Sequence, residues 1–181
     1  GDKLSEPELI SISRLILIAG HETTVNLIGN GVLQLLRHPD QLAKFVADPS
    51  LARGVVEETL RCDPPVQFDG RLCIESTEVA GARVEAGTFV LMLLGAANRD
   101  AAVFADPDRF DITRSPNPHL AFGAGIHYCV GAPLARLEGE IAFERLLARY
   151  PRLAWADAVP AWRPLINLRG LERLTLRAAG P

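Results

Sequence analysis

Residues 122–131 read FGAGIHYCVG, a glycine-rich loop that ends in a cysteine directly before a helical pattern. Its glycines permit positive φ angles and let the backbone approach a large planar ligand closely. The N–H groups of the loop and the N-terminus of the following helix favour a thiolate over a thiol at Cys129. A dinucleotide-binding fingerprint is not matched, because Tyr128 takes the sixth position of the GxGxxG pattern. The alternative for Cys129 is a small, inert hydrophobic residue of the core.

Outside this loop, the spacing of apolar residues in most of the chain is typical of helices. Ser5 and Glu8 form a capping box before an apolar repeat that continues to Pro39, which predicts a long helix. Further helices are predicted over 40–47, 51–61 and 132–148. Short antiparallel strands are predicted over 71–94, and a functional loop is predicted over 98–119. A terminal hairpin is predicted over 165–176, around Gly170. The predicted fold is mainly α with small antiparallel β-sheets, and the length fits one domain.

Composition narrows the classes of function. The 181 residues are 48% hydrophobic and 23% charged with a net charge of -3, which is typical of a globular protein and gives no basic excess for nucleic acid. Apolar runs such as Leu15 to Ala19 are far below the ~20 residues of a membrane-spanning helix. Cys62, Cys73 and Cys129 form no CxxC pair, so neither a disulfide framework nor a zinc site is predicted, and a reducing, cytoplasmic compartment fits best. No GxSxG, P-loop or HExxH motif supports a hydrolase or a nucleotide enzyme.

The cysteine loop resembles the haem-binding signature FGxGxHxCxG of the cytochrome P-450 family and matches it at every fixed position. The resemblance implies the C-terminal portion of the P-450 fold, from its long central helix to its C-terminus. Residues 1–181 would then be a partial haem-binding domain that lacks the upstream half. The implied cofactor is haem b, iron protoporphyrin IX, with the Cys129 thiolate as axial ligand of the iron. The resemblance places these residues against the haem: Cys129, His127, Arg71, Phe122, Gly123, Gly125, Gly131, Ala19 and Gly20.

His127 would bind a haem propionate by this resemblance, and Arg71 falls where the family has another propionate-binding arginine. A locally bonded surface histidine is the alternative for His127.

Glu58 and Arg61 lie three residues apart on a predicted helix, so that carboxylate and guanidinium share one face. A solvated ion pair is the ordinary interpretation of such spacing. The surrounding stretch resembles the family's ExxR helix, and Arg109 in DPDRF matches the third member of its buried triad. The resemblance implies that these three residues support folding and the haem pocket, not catalysis.

The stretch AGHETT, residues 19–24, places a glycine and two β-branched threonines inside the long helix, where they are poor helix formers. It resembles the family's oxygen-binding groove, with Glu22 and Thr23 in the acid and alcohol positions of a proton relay. The alternative is a bent core helix whose threonine bonds back to a carbonyl. The resemblance further places four residues in the substrate pocket, although any apolar residues near Pro65 or in a hairpin would read similarly: Val66, Phe68, Ile166 and Asn167.

The implied function is a haem-dependent monooxygenase that inserts one oxygen atom from dioxygen into a small organic substrate. Electrons would come from a ferredoxin-like or flavin partner that docks on the cysteine-loop side, near Arg136 and Arg145. The alternative is a non-catalytic truncated or degenerate relative that acts as a haem-binding or scaffold protein. Neither a nucleic-acid partner nor a membrane attachment is predicted for this segment. Without the family's upstream helices, one haem face and the apolar sides of residues 5–37 are expected to be exposed.

Overall fold

The computed structural model describes residues 3–156 and 159–178. Its helices are α1 (Glu6–Arg37), α2 (Pro39–Ala47), α3 (Ala52–Cys62), α4 (Leu94–Ala97) and α5 (Ala132–Arg149), with 3-10 turns over Pro49–Leu51 and Gly125–His127. Its strands are β1 (Asp69–Leu72), β2 (Thr77–Val79), β3 (Ala82–Val84), β4 (Phe89–Met92), β5 (Leu153–Trp155), β6 (Ala161–Trp162), β7 (Leu171–Arg173) and β8 (Leu176–Ala178). The predicted mainly α fold with small antiparallel sheets is confirmed.

Helix α1 begins and ends where the sequence predicts. The Glu8 carboxylate accepts a hydrogen bond of 2.8 Å from the Ser5 backbone N–H, which satisfies one of the unpaired donors of the first turn. At the other end, His38 leaves the helical conformation directly before Pro39, as expected of a residue that precedes proline.

The core lies where the C-terminal half of α1 packs against α3 and α5. Close approach of the helices depends on two glycines. A Cβ atom at Gly31 would lie 2.4 Å from Cζ of Phe143, and one at Gly139 would lie 2.9 Å from Cγ2 of Val56. The resulting cluster of buried apolar side chains fixes α5, and with it the loop that precedes α5.

The strands form four two-stranded antiparallel sheets, and the C-terminal pairing differs from the prediction. The predicted hairpin around Gly170 is wrong, because β7 pairs with β6 and β8 pairs with β5. The segment between β6 and β7 runs instead beside residues 65–67. The Arg169 N–H donates to the Pro65 carbonyl at 2.7 Å, and Val66 forms an isolated bridge with Leu168. Tertiary pairing therefore overrides the local turn signal of Gly170.

The N-terminal half of α1 has no packing partner among the described residues, and every residue from 6 to 21 is exposed. Its exposed apolar side chains include Leu9, Ile10, Ile12, Leu15, Ile16, Leu17 and Ile18. The predicted exposure of the apolar sides of residues 5–37 is thus confirmed for the N-terminal half of the helix. It is wrong for the C-terminal half, where Leu27, Val32, Leu33 and Leu35 are buried in the core. Despite this apolar surface, none of the helices in the described ranges combines the length and hydropathy that crossing a bilayer would require.

Candidate active site

The cysteine loop is a tight turn that two glycines make possible. Gly123 and Gly125 have φ angles of 70° and 65°, which a residue with a side chain rarely adopts. The Cys129 N–H donates to the Phe122 carbonyl at 2.9 Å and closes the loop. Because α5 begins at Ala132, its N-terminus lies three residues beyond Cys129, where partial positive charge stabilises an anion. This geometry suits a thiolate ligand.

The three cysteines have different environments, and Cys129 alone of them is exposed. Burial raises the pKa of the Cys62 thiol to about 12, with the negative charge of Glu58 acting in the same direction. The Cys73 thiol donates to the carbonyl of Glu75 at 2.8 Å. Cys129 is therefore the thiol available to an external electrophile or metal.

A cluster of polar and aromatic side chains, called the Glu57 network here, connects the cysteine loop to α3 and α5. Its members are Glu57, His119, Phe122, Tyr128 and Arg136. The Arg136 guanidinium lies 4.5 Å from the Phe122 ring centroid and donates to the Tyr128 hydroxyl at 3.0 Å. It also pairs with the Glu57 carboxylate at 2.6 Å, and the His119 ring lies 2.9 Å from the same carboxylate. The network holds both flanks of the loop against the helical core.

The ionisation of Glu57 follows from these contacts. Burial disfavours the charged carboxylate, but hydrogen bonds and charges from His119 and Arg136 outweigh burial and lower the pKa of Glu57 to about 2. Glu57 thus stays a carboxylate over the whole ordinary pH range.

Sequence reasoning missed the Glu57 network and assigned Arg136 to a docking face. In the structure the Arg136 side chain is only 16% exposed and is committed to Glu57. One local signal was present, since Arg53 lies four residues before Glu57 and the two side chains pair at 3.0 Å. The contacts of Glu57 with His119 and Arg136 span 62 and 79 residues of chain, and no helical or strand spacing encodes them.

Glu58 and Arg61 form a buried pair, with side chains 1% and 0% exposed and Oε1 of Glu58 2.8 Å from Nη2 of Arg61. The same guanidinium donates to the carbonyls of Asn98, Pro107 and Arg109 at 3.0, 2.7 and 2.9 Å. The pair is therefore a fully hydrogen-bonded interior junction and not a solvated surface contact.

The expectation that the Arg109 side chain completes this triad is wrong. Arg109 is 59% exposed at its side chain and lies 3.5 Å from Asp111, and only its carbonyl contacts the pair. The third charged residue is Arg114, which is 11% exposed and lies 3.2 Å from Oε1 of Glu58. The chain turns at Asp106, which has a positive φ of 47°. Arg114, five residues after Arg109, is the residue whose side chain contacts the Glu58 carboxylate.

The AGHETT stretch lies inside a continuous α1, and both of its candidate relay groups have partners. The Thr23 hydroxyl donates to the Ala19 carbonyl at 2.6 Å, which is the back-bonded arrangement weighed as the alternative. The Glu22 carboxylate forms an ion pair with Arg163, across 141 residues of chain. Both groups are half-buried, so water and a bound molecule can reach them.

The ion pair of Glu22 and Arg163 brings α1 to the segment that carries the predicted pocket residues. Ile166 is 85% exposed, and the neighbouring Asn167 carbonyl accepts from the Gln67 N–H at 2.9 Å. The Val66 bridge to Leu168 joins the same two segments. The structure thus places Val66 and Asn167 side by side, with Phe68 half-buried beyond them.

The predicted propionate ligands lie on separate elements. Arg71 is on β1, where its Nη1 lies 2.6 Å from Asp69, and His127 is exposed at the end of its 3-10 turn. On α1, Ala19 and Gly20 are exposed, and a Cβ atom at Gly20 would meet nothing within 4 Å.

The residues around Cys129 fit an apolar, planar metal cofactor. Ile126 and Val130 flank the thiol and are 97% and 98% exposed. Across residues 3–156 and 159–178, no group of three or more His, Cys, Asp or Glu side chains is arranged to hold a metal ion. A porphyrin iron needs a single protein ligand, because the macrocycle supplies four nitrogens. One accessible thiol between uncovered apolar residues meets that requirement.

Comparison with known proteins agrees with this arrangement. The sequence model of the family described as Cytochrome P-450 matches residues 1–154. The biotin biosynthesis cytochrome P-450 of Bacillus subtilis (strain 168) is 53% identical over 173 residues, which are 96% of this chain and 44% of that protein. The vitamin D(3) 25-hydroxylase of Pseudonocardia autotrophica is 51% identical over 177 residues, again 96% and 44%.

Among solved structures, the chain superimposes with a TM-score of 0.95 on P-450BioI, crystallised in complex with an acyl carrier protein ligated to hexadec-9Z-enoic acid. Sequence identity is 51%, and the match covers 99% of this chain and 47% of that one. The chain therefore spans less than half the length of these three relatives.

Proposed function

The chain belongs to the cytochrome P-450 family, and from that premise we propose that it is the haem-thiolate part of a monooxygenase that inserts one oxygen atom from dioxygen into a small organic substrate. The observation that carries the proposal is the exposed Cys129 thiol, held on a positive-φ loop at the N-terminus of α5. The family implies a haem-thiolate cofactor, and we assign it as haem b.

Cys129 would supply the thiolate ligand of the iron, and His127 and Arg71 would bind the propionates. When bound, the haem supplies dioxygen activation, favoured by electron donation from the thiolate. Gly123, Gly125 and Gly131 would let the loop backbone lie close to the cofactor, and Phe122, whose ring is held by Arg136, would lie against it.

Glu22 and Thr23 of α1 would hold and move protons. The Thr23 hydroxyl has one proton, now donated to the Ala19 carbonyl, and its lone pairs can accept from an ordered water. The Glu22 carboxylate can exchange protons with water at its free oxygen while Arg163 holds the other. Ala19 and Gly20 leave space beside these two groups for a small molecule.

The buried Glu58 and Arg61 and the partly buried Arg114 would keep the loop over 98–119 in place, and that loop leads directly to Phe122. Their part in the function is positional, because the buried pair is closed off from solvent.

The substrate and the electron donor are proposed for the whole monooxygenase, of which this chain would be a part. Val66, Phe68, Ile166 and Asn167 would form part of the wall around a small organic substrate. A ferredoxin-like or flavin partner would deliver electrons on the cysteine-loop side, where Arg145 is the remaining candidate contact because Arg136 is engaged with Glu57.

The absorption spectrum of the reduced, carbon-monoxide-bound protein tests the central assignment, because a thiolate ligand would shift the main band. We expect the thiolate-type spectrum for the parent and for Cys73→Ser, which removes a thiol bonded within the β-region. Cys129→Ser should lose that spectrum. A thiolate-type spectrum that survives Cys129→Ser would refute Cys129 as the ligand, and a correct spectrum without product from any substrate would support the alternative of a non-catalytic haem-binding protein.

A further inference from the structure

A separate polar pocket lies where the C-terminal ends of α1 and α3 meet the segment between β6 and β7. Its volume is about 300 Å³, and the side chains that matter to its chemistry are Gln34, Arg37, Asp63, Gln67, Arg99 and Arg169. None of the residues that line it belongs to the cysteine loop, the AGHETT stretch or the Glu57 network.

Positive charge dominates this pocket, with three guanidinium groups around one carboxylate. Asp63 is 4% exposed and is shared between Arg169, with which it forms an ion pair, and the Gln34 amide, which donates to it at 3.1 Å. Its single negative charge is thus already neutralised by residues that line the pocket. The formal charge of the pocket is +3 from the arginines and -1 from Asp63, which leaves +2.

The remaining two arginines are weakly neutralised. Arg99 pairs at 2.7 Å with Asp108, whose side chain is 91% exposed, so that water screens the attraction. Arg37 lies 5.7 Å from the centroid of the Trp155 ring, and among the described residues no carboxylate pairs with it. Arg99 also donates from Nη2 to the Cys62 carbonyl at 2.9 Å. Each guanidinium group has five N–H donors, so both keep donors available for a ligand.

We propose that this pocket binds a small oxyanion with at least two negative charges, of the phosphate and pyrophosphate class. Guanidinium forks match the oxygens of phosphate in paired hydrogen bonds, and three of them converge here from different segments of the chain. A doubly charged anion neutralises the formal charge of +2 in the pocket. An apolar substrate would have almost no apolar side chains to contact there. The proposal does not depend on haem binding or on Cys129.

Calorimetric titration of the full chain with sodium pyrophosphate, against sodium chloride at equal ionic strength, tests the proposal. We expect saturable binding to one site for pyrophosphate and none for chloride. Arg37→Ala and Arg99→Ala should each weaken binding by about tenfold, the loss expected for a hydrogen-bonded charge pair. Both side chains are exposed, so circular dichroism should show an unchanged fold.

Two control variants test whether pyrophosphate binds in this pocket and nowhere else on the chain. Arg83→Ala removes a surface arginine of β3 outside the pocket and should leave binding unchanged. Cys129→Ser should also bind pyrophosphate like the parent, whatever its haem spectrum. Three outcomes would each overturn the proposal. They are a binding heat that does not saturate with pyrophosphate, equal affinity in Arg37→Ala and the parent, and loss of binding in Cys129→Ser.

Discussion

At the scale of single residues, Glu58 shows how a buried charge is kept in this protein. Its carboxylate accepts from Arg61 and Arg114, from the Asp111 backbone N–H at 2.9 Å and from the Asn117 amide at 3.0 Å. Each of these donors offsets part of the desolvation of the charge. When one charged donor is removed, only the remaining donors stabilise the carboxylate.

Arg114→Ala and Arg109→Ala form a matched pair that tests which arginine supports Glu58. We expect Arg114→Ala to lower the free energy of unfolding by roughly 2 kcal/mol, because it removes a charged hydrogen-bond donor from the buried Glu58 carboxylate, which stays paired with Arg61. Arg109→Ala should cost under about 1 kcal/mol, since it removes an exposed contact to Asp111. Chemical denaturation of both variants measures the difference. Equal losses, or a larger loss for Arg109→Ala, would contradict the assignment.

Thr23 supplies a second test at this scale, which rests on the proposed function. In the haem-reconstituted protein, Thr23→Ala should lower product formation by about tenfold to a hundredfold and raise hydrogen peroxide release, because the hydroxyl no longer passes protons. Thr23→Ser keeps the hydroxyl and should stay near the parent in both measurements. If Thr23→Ser behaves like Thr23→Ala, the methyl group and not the proton is what matters, and the relay assignment fails.

At the scale of elements, the Glu57 network joins α3, α5 and the cysteine loop through charge. The Arg136 guanidinium is the centre, since it contacts a carboxylate on α3, a ring at the start of the loop and a hydroxyl next to Cys129. The docking of these elements should therefore depend on the ionisation of Glu57.

The pH dependence of stability follows from the depressed pKa of Glu57. A carboxylate whose pKa is lowered on folding from 4.5 to about 2 contributes stability that is fully present above pH 4.5 and is lost as the pH falls toward 2. The contribution is at most about 3 kcal/mol. Thermal unfolding of the parent and Glu57→Gln should differ at pH 6 and converge near pH 2.

Glu85→Gln provides the control for this prediction. Glu85 also has a lowered pKa, from hydrogen bonds with Arg83 and Ser76, but its pair with Arg83 is exposed on both sides. Its substitution should change stability much less at every pH. A gap between parent and Glu57→Gln that stays constant from pH 6 to pH 2 would show that the charge of Glu57 does not hold the elements together.

At the scale of the whole molecule, the chain exposes more surface than its mass requires. A folded monomer of 19.6 kDa has an accessible surface of about 8,600 Å², whereas this one has 11483 Å². Much of the apolar excess lies on α1, where Leu15, Ile16, Leu17 and Ile18 are between 64% and 70% exposed. Contiguous apolar surface of this kind marks a site of association.

We therefore expect the 181-residue chain by itself to self-associate at micromolar concentration. The double variant Leu15→Lys with Ile18→Lys should shift sedimentation toward the monomer, because it puts two charges into the exposed apolar surface. Ile74→Lys, at a position 84% exposed but outside α1, is the matched control and should sediment like the parent. Association that is equal in all three proteins would place the contact elsewhere.

What the sequence by itself determined is local in character. The loop FGAGIHYCVG, the extent of α1 from its capping box to Pro39, and the shared face of Glu58 and Arg61 all follow from spacings of a few residues, where backbone geometry dictates which groups meet. The tertiary structure alone decided the contacts between distant segments. It selected Arg114 over Arg109, paired β7 with β6, turned Arg136 toward Glu57, and joined Glu22 to Arg163. The physical reason is that these partners are separated by irregular chain, whose path no repeat encodes and which packing of the whole molecule sets.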